Sequence, residues 1–183
     1  MTVSRDYSLP HDLDLVVEFV NTRDLDRDTD ELATPDRLAG WLRERRLVAL
    51  DTRIGAAELE QATGLREALR AVLLEHNGSP AGGGLQALEE VAERGGLSVC
   101  FGGDGTVRLA PRVGGFAGAL AHLLVPIAPA AGDGSWERVK ACAADDCQWA
   151  FYDRSRNRSA RWCDMAVCGN RTKVRAYRSK RQA

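Results

Sequence analysis

Apolar residues recur with a helical period along much of the chain. Leu13, Val16, Val17 and Val20 stand at i, i+3, i+4 and i+7, which predicts a helix with one buried stripe ending near Asn21. A polar loop follows from Thr22 to Glu31. Thr34-Pro35 marks a second helix start, because a threonine oxygen accepts from first-turn amides and proline has no N–H to leave unpaired there. Leu38, Trp41 and Leu42 supply its buried face. A longer helix is expected from about Ala56 to His76, with Leu59, Ala62, Leu65, Leu69, Val72 and Leu73 inward, stopping at Asn77-Gly78. Beyond the flexible Ser79–Gly84 connection, Leu85–Arg94 reads as a short helix.

The period then changes from helical to alternating. Leu97–Phe101 and Thr106–Ala110 flank Gly102-Gly-Asp-Gly105, the pattern of a β-hairpin with a glycine-rich turn. Those glycines lack the spacing and the following Lys-Ser/Thr of a phosphate loop. Cys100, inside the first strand, reads as a small buried apolar residue. The apolar stretch Phe116–Ala131 is expected to be one core helix that closes the body. It is interrupted by His122, Pro126 and Pro129 and falls short of the roughly 20 apolar residues of a spanning helix, so no membrane partner is expected. Ala131-Gly-Asp-Gly-Ser135 reads as a hinge.

The last forty-odd residues bring chemistry. Cys142-x4-Cys147 and Cys163-x4-Cys168 are two close pairs separated by fifteen residues. Two such pairs can present four thiolates to a tetrahedral Zn²⁺. Disulfides fit less well. Met1–Pro10 has no apolar core of a secretory signal, which points to the cytoplasm, where thiols stay reduced. The x4 spacing also differs from the CxxC of redox sites. Four protein ligands leave no open position, so one structural zinc and no hydrolytic chemistry are expected. Trp136–Cys147 should approach as a strand and form the first knuckle. Gln148–Asp153 and Ser159–Trp162 could pair across Arg154–Arg158, and Cys163 and Cys168 would open a helix running to about Arg178. Knuckle, hairpin and helix in that order describe a treble-clef-like fold. Trp149, Phe151 and Trp162, with Val174 and Tyr177, would form its small core.

A formal net charge of −1 conceals an asymmetry. Residues 140–183 carry eleven Lys/Arg against four Asp/Glu, and residues 1–139 carry fourteen against twenty-two. An acidic body thus bears a basic end. On the terminal helix Arg171, Arg175 and Arg178 fall at i, i+4 and i+7. Lys173 and Lys180 flank them, and Arg154, Arg156 and Arg158 add charge from the loop. This set is the candidate contact surface for nucleic acid, DNA first. A solvated face, or docking on the acidic body, would use the same residues. Arg171 and Asn170, beside the metal, also suit bracing roles.

Trp162-Cys-Asp-Met-Ala-Val-Cys-Gly-Asn-Arg-Thr-Lys173, preceded by Cys147-Gln-Trp-Ala-Phe-Tyr-Asp-Arg-Ser-Arg-Asn157, closely resembles the CGNR zinc-finger family, whose tetrapeptide stands here as Cys168-Gly-Asn-Arg171. Phe19-Val-Asn-Thr22 and Ala33-Thr-Pro-Asp36 look like the opening signatures of the ABATE domain that usually precedes this finger. The resemblance is most specific over Cys142–Arg178 and weaker from Ile54 to Ser135. It implies a stress-induced transcription regulator, with Cys142, Cys147, Cys163 and Cys168 matching the ligand positions.

The resulting expectation is a mainly α N-terminal domain with a small β-hairpin (an α+β domain, residues 1–135), followed by a treble-clef-like four-cysteine zinc module (136–183). The function expected is a transcription regulator, not an enzyme, that binds nucleic acid through the module. The alternative is a protein-interaction or intramolecular docking module on an effector-sensing body. The body shows no nucleophile or cofactor motif. His11 and His76 read as surface residues and His122 as part of a helix bundle. Asp26, Asp28 and Asp30 lack the glycine and the terminal Glu of a calcium loop, and Asn21, at the end of an apolar helix, reads as a helix cap first and as a residue lining an effector cavity second. A small-molecule effector and a homo-oligomer are compatible with this reading, the effector site being unknown beyond the Asn21 alternative.

Overall fold

In the computed structural model, residues 8–80 and 82–181 are described. Seven helices and three two-stranded antiparallel pairs follow along them: α1 (Leu13–Asn21), β1 (Arg23–Asp24), β2 (Thr29–Asp30), α2 (Pro35–Glu44), α3 (Ala56–Glu75), α4 (Gly84–Arg94), β3 (Leu97–Phe101), β4 (Val107–Pro111), α5 (Gly115–His122), α6 (Ile127–Asp133), β5 (Val139–Ala141), β6 (Ala150–Tyr152) and α7 (Asn170–Lys180). The protein is mainly helical with small antiparallel strand pairs, and its four paired cysteines gather near the C-terminus.

The helix signals act as expected. Thr34 caps α2 by accepting from the Arg37 amide at 3.3 Å. The α3 stripe Ala62, Leu65, Leu69, Val72 and Leu73 is buried, and Gly78 at φ +80° takes the left-handed conformation just beyond the helix end. β3 and β4 pair from Leu97 opposite Pro111 to Phe101 opposite Val107. Cys100 in that hairpin is half-buried rather than enclosed.

Four expectations fail for identifiable reasons. The expected polar loop Thr22–Glu31 contains the β1–β2 hairpin, because its aspartates are drawn into side-chain pairs with arginines. The single helix Phe116–Ala131 is two helices, α5 and α6, with turns between them. Pro126 cannot donate to a continuing helix and sits at the start of α6. Gly115–Asp133 is long and apolar enough by composition alone to cross a membrane, yet Ala119–Ala121, Leu123, Leu124 and Ala130 are buried in the protein core. His122 is exposed, not enclosed by helices. Finally, Ala131–Asp133 are helical and Ser135 is buried, its amide bonded to the Ala130 carbonyl at 2.9 Å, so the segment is not a free hinge.

One core consequently runs through both ends of the chain. Leu13, Phe19, Leu42, Leu69 and Leu73 from the helices share a hydrophobic cluster with Trp136, Val139, Ala141 and Ala150. β5 packs along α3, and β6 lies against α1.

Candidate metal centre

The β5–β6 pair sets out the site. Val139, Lys140 and Ala141 face Tyr152, Phe151 and Ala150. The connection between the strands is the first knuckle, closed by bonds from the Cys142 amide to the Trp149 carbonyl and from the Cys147 amide to the Ala144 carbonyl, both 2.9 Å. Gln148 completes the turn at φ +48°. The expected hairpin between Gln148–Asp153 and Ser159–Trp162 does not form. The partner of Ala150–Tyr152 is β5, while the loop after Asp153 is shaped by a buried charge pair. Lys140 donates to Asp153 Oδ2 at 2.7 Å, to the Arg158 carbonyl at 2.6 Å and to the Ala160 carbonyl at 3.3 Å. Burial alone would raise the Asp153 pKa, but the Lys140 ammonium and the Ser155 bonds outweigh it and hold the carboxyl at about 2. Arg154, Arg156 and Arg158 are exposed around this loop.

The second pair arrives from the other side. Asp164 caps a single π-helical turn, Met165–Gly169, by accepting from the Ala166 and Val167 amides at 2.7 and 3.1 Å. Cys163 precedes that cap and Cys168 lies in the turn, immediately before α7. All four sulfurs lie within 4.8 Å of one another, with Cys147–Cys163 at 3.6 Å and Cys163–Cys168 at 3.8 Å. A tetrahedron with Zn–S of about 2.3 Å has edges of about 3.8 Å, and a disulfide needs about 2.05 Å. The four cysteines therefore fit one structural zinc ion and are not disulfide-bonded.

The electrostatics agree. The Cys142 thiol is lowered well below its ordinary value by hydrogen bonds first from Cys147 and then from Cys163. Cys147 is pushed up to about 12 and Cys163 is also raised, each chiefly by donating its proton to Cys142. Thiolates this close repel one another, and a divalent cation would offset that repulsion and take all four sulfurs as thiolates. Amides of Ala144 and Cys163 point at Cys142 sulfur, and that of Trp149 at Cys147 sulfur, which further suits thiolates. Cys142, Cys147 and Cys168 are buried; Phe151 and Trp162 pack beside them. Trp149 is at the surface, and Val174 and Tyr177, expected in this small core, are 47 % and 62 % exposed. The bonds made by Arg171 and Arg175 rotate α7 so that their side, not the Val174–Tyr177 side, meets the protein.

The basic residues divide into two groups. Arg171 pairs with Asp26, lies 3.4 Å from Asp146 and donates to Cys168 sulfur at 3.7 Å. The Asp26 carboxylate, first of its neighbours, raises the Arg171 pKa. Arg175 donates to Asp146 at 2.7 Å and holds that carboxyl below its usual range. Lys173, Arg178 and Arg181 are exposed. The Lys180 side chain lies outside the described residues. Asn170 donates to the Ala166 carbonyl at 2.9 Å, a bracing role.

Residues with no motif to announce them join the metal ribbon to the body. Asn21 both donates to the Ala150 carbonyl at 2.9 Å and accepts from its amide at 2.7 Å, instead of capping α1. Asn77 donates to the Ala141 and Arg161 carbonyls at 2.7 and 2.8 Å. His76 Nδ1 lies 2.8 Å from the Val139 carbonyl, with its ring edge-on to Trp136. Arg70, buried on α3, donates to the Gln148 carbonyl at 2.8 Å and to the Val20 carbonyl at 2.7 Å. Its neighbour Arg66 grips Asp30 with two bonds of 2.8 and 2.9 Å. Arg66 and Arg70 are spaced i, i+4 beside the apolar stripe, a charge placement that could have flagged a buried network.

Two family models match the chain. Residues 13–133 match the ABATE family, described as "Putative stress-induced transcription regulator", and residues 138–181 match the CGNR zinc finger. The first match covers more than half of the 183 residues, so the chain belongs to the ABATE family and carries a CGNR zinc finger at its C-terminal end. Neither is an enzyme family. No curated protein matches the chain.

Proposed function

We propose that this protein is a cytoplasmic, non-enzymatic transcription regulator that binds DNA through the zinc-stabilised C-terminal end. The observation that carries the reading is two sets of exposed cations on the C-terminal segment: Arg154, Arg156 and Arg158 on the loop ordered by Lys140 and Asp153, and Lys173 and Arg178 on α7, with Lys180 on the same helix. Zinc serves here by fixing the start of α7 against the first knuckle; it supplies no reaction. Arg171 and Arg175 belong to the same basic set, and their bonds to Asp26 and Asp146 hold the helix in place.

The test is binding of the zinc-loaded full chain to a pool of duplex DNA, measured by fluorescence anisotropy between 50 and 200 mM salt. Several phosphate contacts predict a steep fall, with each contact adding about 0.9 to the logarithmic slope. Affinity that does not change with salt, or no binding at 50 mM, refutes the reading. The Arg171–Asp26 pair favours a second reading, in which the module is a docking element on the body. Under that reading Asp26→Asn loosens the module without changing DNA affinity.

A further inference from the structure

α7 turns to solvent a face that charge alone does not explain. Taking Asn170 as zero and 100° per residue, Tyr177, Arg181 and Val174 lie within about 40° of it. Lys173 stands about 60° to one side and Arg178 about 80° to the other. Arg171 and Arg175 lie further round, at about 100° and 140°, where Asp26 and Asp146 engage them. The outward face is therefore a crest in which Val174 and Tyr177, joined at its C-terminal end by Arg181, stand between the Lys173 and Arg178 flanks. Val174 is 47 % and Tyr177 62 % exposed. The Tyr177 ring is held rather than loose: the Arg181 guanidinium lies 5.7 Å from its centroid and Nη1 donates to its hydroxyl at 3.4 Å. A helix kept soluble by its charges has no need of a valine and a tyrosine at the centre of its wet face.

We propose that this crest is a base-reading surface: α7 enters the major groove of duplex DNA, Lys173 and Arg178 engage the phosphates of the two groove walls, and Val174 and Tyr177 meet the base edges. The assignment rests on the DNA-binding reading above and adds two uncharged residues to it. An α-helix about 10–12 Å across matches a groove about 12 Å wide. Flanks about 140° apart reach both walls, and eleven helical residues span about 16 Å, or four to five base pairs. Asn170–Arg181 contains six Lys/Arg and no Asp/Glu, and Lys173 and Arg178 stand on either side of Val174 and Tyr177, so the fitting partner carries negative charge along both sides of the surface these two residues meet. Duplex DNA has that layout. Valine methyls suit the thymine methyl, and the tyrosine hydroxyl can donate to or accept from a base edge.

The experiment selects bound fragments from a random duplex library with the zinc-loaded full chain, then measures affinity for the selected duplex and a shuffled one. Tyr177→Ala and Val174→Ala should each weaken the selected duplex about tenfold, leave the shuffled duplex unchanged, and keep the salt slope. Lys173→Ala and Arg178→Ala should weaken both duplexes alike and lower the slope by about one unit each. Tyr177→Phe, which keeps the ring, controls for folding, as do zinc content and helical circular dichroism of every variant. Sequence selection that survives Tyr177→Ala and Val174→Ala overturns the crest and leaves DNA binding standing. So does equal affinity for selected and shuffled duplexes, or a preference for single strands. Absence of binding to any duplex overturns both.

Discussion

Asn77→Ala tests whether the metal ribbon and the helical body unfold together. The Asn77 amide, 8 % exposed at the end of α3, bridges the Ala141 carbonyl of β5 and the Arg161 carbonyl two residues before Cys163. Each bond contributes about 0.5–1.5 kcal/mol net, and a buried carbonyl left unpaired costs about 1–3 kcal/mol. Truncation should therefore remove about 2–4 kcal/mol, a large part of the roughly 5–15 kcal/mol that holds a domain folded. At about 2–4 °C per kcal/mol for a chain of this size, Tm should fall by about 4–16 °C. The assay heats zinc-loaded wild type and variant while following far-ultraviolet circular dichroism and zinc release to a chromogenic chelator in parallel. The helical signal comes mostly from α1–α6, and zinc release comes from the ribbon. Both transitions should move together, because Trp136, Val139, Ala141 and Ala150 lie in the same core as α1 and α3. A variant that releases zinc earlier while its helical transition stays put would refute the single-unit argument. It would show the ribbon to be a detachable module, as a hinge at Ala131–Ser135 would have made it.

The purified protein should contain close to one zinc per chain, and Cys147→Ser or Cys163→Ser should abolish it, read by elemental analysis under reducing conditions. Chelation should lower the helical Tm as well as empty the site, since structural zinc contributes on the order of 10–16 kcal/mol at neutral pH; an unchanged helical Tm after complete removal counts against the shared core. Arg66→Ala should cost about 3–5 kcal/mol in urea unfolding, because it strands the Asp30 carboxylate that now receives two bonds. A loss below about 1 kcal/mol would make that pair a surface-like contact. For Asp153, whose folded pKa is held at about 2, the stabilisation is full above the ordinary carboxylate value near 3.9 and is lost as pH falls through about 2. The stability gap between wild type and Asp153→Asn should accordingly be constant from neutrality to about pH 5 and close below it. A gap that widens in acid reverses the sign of the argument.

What could be read from the chain, and what could not, follows the range of the forces involved. Helix starts and stops depend on neighbours within a turn, so Thr34-Pro35 and Asn77-Gly78 could be located from their own residues. The ligand set was equally legible, because chain geometry limits how two x4 pairs can be arranged around one ion. Strand partners depend on residues far apart in sequence. Ala150–Tyr152 was recognisable as a strand, yet its pairing with Val139–Ala141 was decided by Asn21 and Arg70 from the body. The stripe of α7 that faces inward was likewise decided from outside the helix. Arg171, Arg175 and Arg178 looked alike by spacing, and only the positions of Asp26 and Asp146 separate the first two from the third.

Asp26 links the helical body to the start of α7. It sits between β1 and β2, a hairpin anchored at Asp30 by Arg66 of α3, and it pairs with Arg171 beside the zinc ligand Cys168. A continuous set of contacts thus runs from the buried face of α3, through the β1–β2 turn, to the first turn of α7. Arg70 provides a second route, from the same face of α3 to Gln148 in the first knuckle. Both routes begin on α3, so a small displacement of that helix would alter both cysteine pairs and the direction in which α7 points. A hinged finger would need a signal passed through a linker, whereas here the body already touches the metal centre at both knuckles. Under the DNA-binding proposal, a ligand that shifts α3 changes affinity only as far as it binds the two helix positions unequally. Asp26→Asn separates the routes: it removes the α7 link and leaves the Arg70–Gln148 bond in place.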